Sequence, residues 1–212
     1  MNLAQKARNV LRGLVQLYGP ESTKRDLWNG EFSSGRWNCL DNTGDESSHL
    51  QIEKYANNGC ILDLGYGSGT TSIELNRAVY RFYTGVDISD VAIKRARTRA
   101  QEAGRTDCNE YCQTDILTYV PTHRYNVILF GDSLYYLPQR RIAASLARYS
   151  DYLTEDGVFF VRVFDVSGKH RRILDSIESH YDIIEKHTHL DEEMQVCKIV
   201  FRPIVAGHQL VG

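Results

Sequence analysis

From residue 60 onward the chain alternates short apolar runs with amphipathic stretches of helical length, and this alternation confines it to parallel βαβ units. The runs fall at 60–64, 81–88, 109–116, 125–130 and 157–164. They read as strands buried under helices on both faces of a sheet. Between them the spacing predicts helices over 70–79, 89–103, 138–153 and 169–179. Ala92, Ala96 and Ala100 give the second helix a narrow packing stripe. Ile142, Leu146, Tyr149 and Leu153 follow one face of the third, with Pro138 suited to its first position. Two last runs, 181–186 and 196–202, are separated by too few residues for a crossover helix, so they pair as an antiparallel hairpin. The fold class is α/β, a doubly wound sheet.

The first 57 residues are different. Leu3, Ala7, Val10, Leu11, Leu14 and Tyr18 recur at helical spacing until Gly19-Pro20 stops the run. Residues 21–48 are polar and punctuated by glycine, and read as a loop that carries Trp28, Phe32 and Trp37. Two tryptophans in such a segment dock on the body of the domain or on a ligand, as a strap or a lid. A short helix near 49–56 leads into the first strand. Residues 1–57 therefore form an N-terminal helix with an aromatic strap or lid, and 58–212 a ligand-binding domain, the two making one structural domain.

Composition narrows the partners. With 25 Lys plus Arg against 27 Asp plus Glu, the net charge of −2 gives no overall attraction to nucleic acid or anionic lipid. Lys94, Arg95, Arg97 and Arg99 lie opposite the alanine stripe and read as a solvated helix face. No stretch reaches the roughly 20 apolar residues of a membrane span, and no export signal is visible, so a cytoplasmic location is expected. The 5 cysteines, Cys39, Cys60, Cys108, Cys112 and Cys197, include no C-x-x-C and read as free thiols. Cys108 and Cys112 have no companion pair at zinc-site spacing, so no metal is expected.

In a doubly wound sheet, ligands bind beyond the carboxyl ends of the strands. Strand one ends in Asp63-Leu64-Gly65-Tyr66-Gly67-Ser68-Gly69, a turn whose backbone can approach a ligand closely. Strand two ends in Asp87, about 20 residues after Gly65, the spacing at which an acid accepts from ribose hydroxyls. The dinucleotide fingerprint would need Gly or Ala at Thr70, which counts against NAD.

These features, followed by Thr114-Asp115-Ile116 and by Gly131-Asp132-Ser133-Leu134-Tyr135-Tyr136-Leu137, resemble the successive motifs of class I S-adenosylmethionine-dependent methyltransferases. The likeness covers residues 58–204. It implies a seven-stranded, mostly parallel Rossmann-like sheet with the last strand antiparallel, S-adenosylmethionine as cofactor and S-adenosylhomocysteine as product. Carried over, the cofactor contacts fall on Asp63, Gly65, Tyr66, Gly67 and Gly69, on Asp87 with Ile88, on Asp115 with Ile116, and on Gly131. The glycine turn would face the methionine end, Asp87 the ribose and Asp115 the adenine amine. Many members have Cys or Ala where this chain has Tyr66, which bears on how the turn packs. Segment 28–40 and residues 132–137 are similar to bacterial small-molecule methyltransferases, including nodulation-type enzymes acting on amino sugars and relatives associated with polysaccharides.

Methyl transfer from a sulfonium is an in-line displacement that rewards positioning. An acceptor hydroxyl or amine must still lose a proton, and Asp132 is the first candidate to take it or to orient the acceptor; the plainer reading is a turn cap. His170, beyond strand five, is a second candidate and otherwise a solvated helix start, while Lys169, Arg171 and Arg172 would suit an acidic acceptor. Of Tyr135 and Tyr136, one is expected to pack under the cofactor or shape the acceptor pocket and the other to join the core. Trp28, Arg36 and Trp37 are candidate acceptor contacts. The reaction expected is O- or N-methylation of a small polar metabolite, a sugar or amino sugar among them, by a monomer or homodimer. The alternatives are a methyltransferase acting on RNA or protein, and a nucleotide-binding module without catalysis. Gly131-Asp132-Ser133-Leu134 differs from the Asn/Asp-Pro-Pro-aromatic sequence common in base-methylating enzymes.

Overall fold

The computed structural model describes residues 3–38, 46–166, 168–191 and 194–204. Cys39, residue 40 of the aromatic segment and residue 167 lie outside them. Seven strands form one sheet: β1 (Gly59–Leu64), β2 (Tyr80–Asp87), β3 (Asn109–Gln113), β4 (Tyr125–Gly131), β5 (Leu153–Val166), β6 (Tyr181–Asp191) and β7 (Met194–Pro203). Their order is β3-β2-β1-β4-β5-β7-β6. All pairings are parallel except those of β7, which runs antiparallel to both β5 and β6. The strand order reverses between β1 and β4, and a crevice opens at their carboxyl ends.

The helices are α1 (Leu3–Tyr18), α2 (Glu21–Ser33), α3 (Glu46–Ala56), α4 (Thr70–Glu74), α5 (Asp90–Glu102), α6 (Gln139–Ser150) and α7 (Arg171–His180). Apolar residues alternate between two cores because side chains alternate across a strand. Leu62 and Leu64 of β1, with Ile128 and Phe130 of β4, pack with Ile142 and Leu146 of α6 and Ile173 and Ile177 of α7. Ile61, Val127 and Leu129 pack on the other face, with Ile52 and Ala56 of α3 and Ile93, Ala96 and Ala100 of α5. Helix α3 precedes β1 across a tight turn, so its N-terminal end reaches the crevice.

Several boundaries differ from the sequence reading. Residues 21–33 are helical rather than a loop, with Pro20 preceding the first turn and Glu21 in it, where an acid complements the helix dipole. The helix expected over 70–79 stops at Glu74 and resumes as a 3-10 turn, Arg77–Val79, because the Asn76 side chain caps that turn by accepting from Ala78 N–H at 3.0 Å. β3 ends at Gln113, so Asp115 and Ile116 sit in the turn beyond it. Leu153 opens β5 rather than closing α6, and Pro138 stands just before α6 rather than within it. The apolar face of α1 forms as spaced, but Val10, Leu11, Leu14 and Tyr18 face solvent. Helix α1 is held to α2 by Arg12, whose guanidinium grips both carboxylate oxygens of Glu31.

The basic run on α5 is not a simply solvated face. Arg95 donates to Phe32 C=O at 2.8 Å, Arg97 to Tyr111 C=O at 2.8 Å and Arg99 to the Thr70 hydroxyl at 2.9 Å. These arginines tie α2, β3 and α4 to α5. No described helix is long and apolar enough to cross a membrane.

Candidate active site

The glycine turn leaves β1 with Gly65 N–H and Tyr66 N–H both donating to Val86 C=O of β2, at 2.8 and 3.1 Å. Gly65 has φ +83°, and a Cβ there would stand 2.3 Å from Ser133 Cβ, so only glycine fits. Ser133 Oγ in turn donates to Leu64 C=O, tying the turn after β4 to the end of β1. Tyr66 fills the space beneath the turn. Its ring stacks on Tyr111 with centroids 5.1 Å apart, and its hydroxyl donates to Gly69 C=O at 2.9 Å and lies 2.6 Å from Ser72 Oγ. The ring needs a bare backbone beside it, since a Cβ on Gly85 would lie 2.7 Å from Tyr66 Cδ1.

Two carboxyls lie buried near this turn. Asp63 accepts from the Tyr83 hydroxyl at 2.6 Å, and burial pushes its pKa up to about 7. Asp87, at the end of β2, accepts from Gly67 N–H at 2.9 Å and from Ser89 N–H at 2.8 Å, and burial pushes it up to about 6. In the folded protein both keep a proton at pH values where the unfolded chain has lost it. Stability therefore falls as pH rises from about 4 and levels off above about 7. Asp63→Asn retains an acceptor for Tyr83 and should remove most of the slope, which is about 1.4 kcal/mol per pH unit for one such group. Denaturant titrations of both proteins at pH 5 and pH 8 check this; an equal decline in the variant would contradict it.

Past β3, Asp115 accepts from Leu117 N–H at 2.9 Å and pairs with Lys24 of α2. Past β4, Asp132 has φ +55°, and its carboxylate crosses to β5, accepting from Phe164 N–H at 2.9 Å and pairing with Arg162. This is not a cap on its own turn. A 3-10 turn, Leu134–Tyr136, follows. Tyr135 stacks on His170 at 4.5 Å, and Tyr136 meets the edge of Trp28 at 4.9 Å. Trp37 lies 6.0 Å from Trp28 and donates from its indole N–H to Glu31 at 3.0 Å.

A cavity of about 550 Å³ runs along these strand ends. Gly65, Tyr66, Gly67, Asp87, Ile88, Asp115 and Ile116 line one half of it, and Gly131, Asp132, Tyr135, Tyr136, Trp28 and Trp37 the other. Both tyrosines line it, and Tyr135 also packs against the apolar core. Four sequence candidates lie outside that lining. Asp63 is beneath the turn, and Gly69, whose φ is +95°, sits against Ala96 at the start of α4. His170 stacks on Tyr135, and its backbone N–H donates to the Asp165 carboxylate at 3.1 Å. Arg36 is half exposed beside Glu31 and over the outer face of Trp37, 5.9 Å from the ring centroid.

The wall also contains residues that sequence reasoning missed. Lys24 and Phe32 arrive on α2, Arg162 on β5, and His49 on α3 pairs with Glu74 of α4 at 2.8 Å. The spacing Lys24, Trp28, Phe32 was a usable signal, since residues four apart share a helix face. Among the described residues no group of His, Cys, Asp and Glu side chains converges as metal ligands would.

Residues 61–157 match the family described as a methyltransferase domain. That match takes in a little under half of the chain, from β1 into β5. The chain is 28% identical over 122 residues to 27-O-demethylrifamycin SV methyltransferase of Amycolatopsis mediterranei, a match covering 54% of this chain and 44% of that one. It is 30% identical over 109 residues to carboxy-S-adenosyl-L-methionine synthase of Desulfotalea psychrophila, covering 47% and 44%. The matched part is thus less than half the length of these curated relatives. The N-methyltransferase NodS from Bradyrhizobium japonicum, solved with S-adenosyl-L-homocysteine, has the same fold: TM-score 0.63 at 18% identity, over 79% of this chain and 92% of that one. The seven-stranded methyltransferase sheet expected from the sequence is the sheet observed.

Proposed function

We propose that the protein binds S-adenosylmethionine and transfers its methyl group to an oxygen or nitrogen of a small polar metabolite or sugar. The observation that carries this reading is one continuous cavity joining the glycine turn, Asp87 and Asp115 to aromatic side chains at the ends of β4 and β5. Its volume is that of a small-molecule site. Bare backbone at Gly65 and Gly67, a buried carboxylate at Asp87 and apolar side chains at Ile88 and Ile116 fit a nucleoside with a charged tail. When bound, S-adenosylmethionine supplies an electrophilic methyl carbon.

The chain's own residues do the positioning. Gly65, Gly67 and Asp87 would hold the cofactor, and Gly131, the last residue of β4, lines the same cavity. Trp28, Trp37, Tyr135 and Tyr136 would stack against an acceptor ring and exclude water. Burial holds both tyrosines protonated, so they offer hydroxyls rather than charge. Asp132 shares its charge with Arg162 and one oxygen with Phe164 N–H, which suits it to orient an acceptor hydroxyl or amine rather than to act as a strong base. His170 and Arg36 act only through Tyr135 and Trp37.

The reading is tested by incubating the protein with S-adenosylmethionine and a panel of amino sugars, hydroxylated metabolites and small amines, with S-adenosylhomocysteine measured by mass spectrometry. Acceptor-dependent release is expected. The similarity to a synthase as well as to a methyltransferase favours one second reading, an enzyme that uses a related sulfur nucleoside for other chemistry. Cofactor binding without release in the presence of any acceptor would favour it.

A further inference from the structure

Lys24 and Asp115 meet on the cavity wall across 91 residues of sequence, and their side chains are only 13% and 10% exposed. Taking both charges out of water costs free energy that their mutual attraction only partly returns, so the pair calls for a reason. One oxygen of Asp115 is fixed by Leu117 N–H, which leaves the other beside the Lys24 ammonium. A strong donor and a strong acceptor therefore stand side by side, with Ile88 and Ile116 also on that part of the wall. The arrangement is complementary to a flat ring whose edge carries an acceptor nitrogen next to an amino group.

We propose that Lys24 is a specificity-determining residue that reads the adenine edge of the cofactor together with Asp115. This rests on the S-adenosylmethionine reading above. The ammonium donates to a ring nitrogen while the exocyclic amine donates to Asp115, and the ion pair is satisfied without leaving a bare charge. A 6-oxopurine presents the reverse order, a ring N–H toward the ammonium and a carbonyl toward the carboxylate, so both contacts fail. Helix α2 is placed for this by contacts other than Lys24: the Ser89 hydroxyl donates to Asn29 at 2.7 Å, and Arg95 holds Phe32 C=O. Loss of the lysine charge should leave the helix docked.

The test is calorimetric titration with S-adenosylhomocysteine and its 6-oxo analogue S-inosylhomocysteine, using wild type, Lys24→Met and Lys24→Gln, with thermal melts to confirm folding. Wild type should prefer the adenine compound by at least about tenfold, the worth of one hydrogen bond to a charged group. Lys24→Met should lose about tenfold in affinity for it and most of the discrimination, and Lys24→Gln, which keeps an N–H donor, should recover part of both. Unchanged or tighter binding by a folded Lys24→Met overturns the lysine's role alone, making it a counter-ion that the base displaces. If wild type binds neither compound, the cofactor reading fails and this inference falls with it.

Discussion

Replacing Gly65 with alanine should destabilise the protein by about 2–5 kcal/mol and abolish measurable binding of S-adenosylhomocysteine. The left-handed backbone costs an L-residue about 1–2 kcal/mol. The new methyl would then meet Ser133 Cβ at 2.3 Å, and overpacking of that kind costs about 1–3 kcal/mol more. The strain is relieved only by moving Ser133, whose hydroxyl ties β4's turn to the end of β1, so the two halves of the cavity shift against each other. Gly67→Ala is the control. Its φ of +63° is also left-handed, but a Cβ there meets nothing nearer than Phe32 Cζ at 3.7 Å. It should cost about 1–2 kcal/mol from backbone strain alone. Denaturant midpoints of the two variants check the contrast, and equal losses would contradict the steric argument.

Asp87→Ala should lower affinity for S-adenosylhomocysteine about 100-fold or more, as loss of two hydrogen bonds to a charged acceptor would. The same carboxylate organises the turn, since Gly67 N–H and Ser89 N–H both donate to it. The alanine variant leaves those donors without their acceptor as well as removing the ribose contact. Asp87→Asn keeps one acceptor oxygen and should fall between. With its pKa pushed up to about 6, Asp87 is charged only above that pH. Cofactor affinity should therefore rise as pH increases toward about 6 and then level off, a profile absent in Asp87→Asn. A pH-independent wild-type affinity would remove Asp87 from the ribose contact.

The sheet was legible because its signal is intrinsic to each strand. Leu62, Val127, Ile128 and Phe160 are buried on whichever face they point to, so the apolar runs had to be central strands. The glycine turn and Asp87 were legible because strand ends in such a sheet are where a ligand must sit. Helix α2 was not, since its inward face is Lys24, Trp28 and Phe32, which answers an acid, a tyrosine and a glycine of the site rather than an apolar surface. Its apolar repeat is short, the pair Trp28 and Phe32 four residues apart, and reads as part of a loop. Arg162 was hidden within β5, and its meaning comes from the register that sets it opposite Gly131, one residue before Asp132. His170 and Arg36 carried suitable chemistry in the sequence, but the rings of Tyr135 and Trp37 stand next to them in three dimensions.

The proposed activity requires the cavity at the strand ends to bind S-adenosylmethionine. The most direct measurement is calorimetric titration of the wild-type protein with S-adenosylmethionine, S-adenosylhomocysteine and NAD under identical conditions. Micromolar, one-to-one binding of the two sulfur nucleosides and none of NAD is expected. Absence of binding by both sulfur compounds, or binding of NAD in their place, would contradict it.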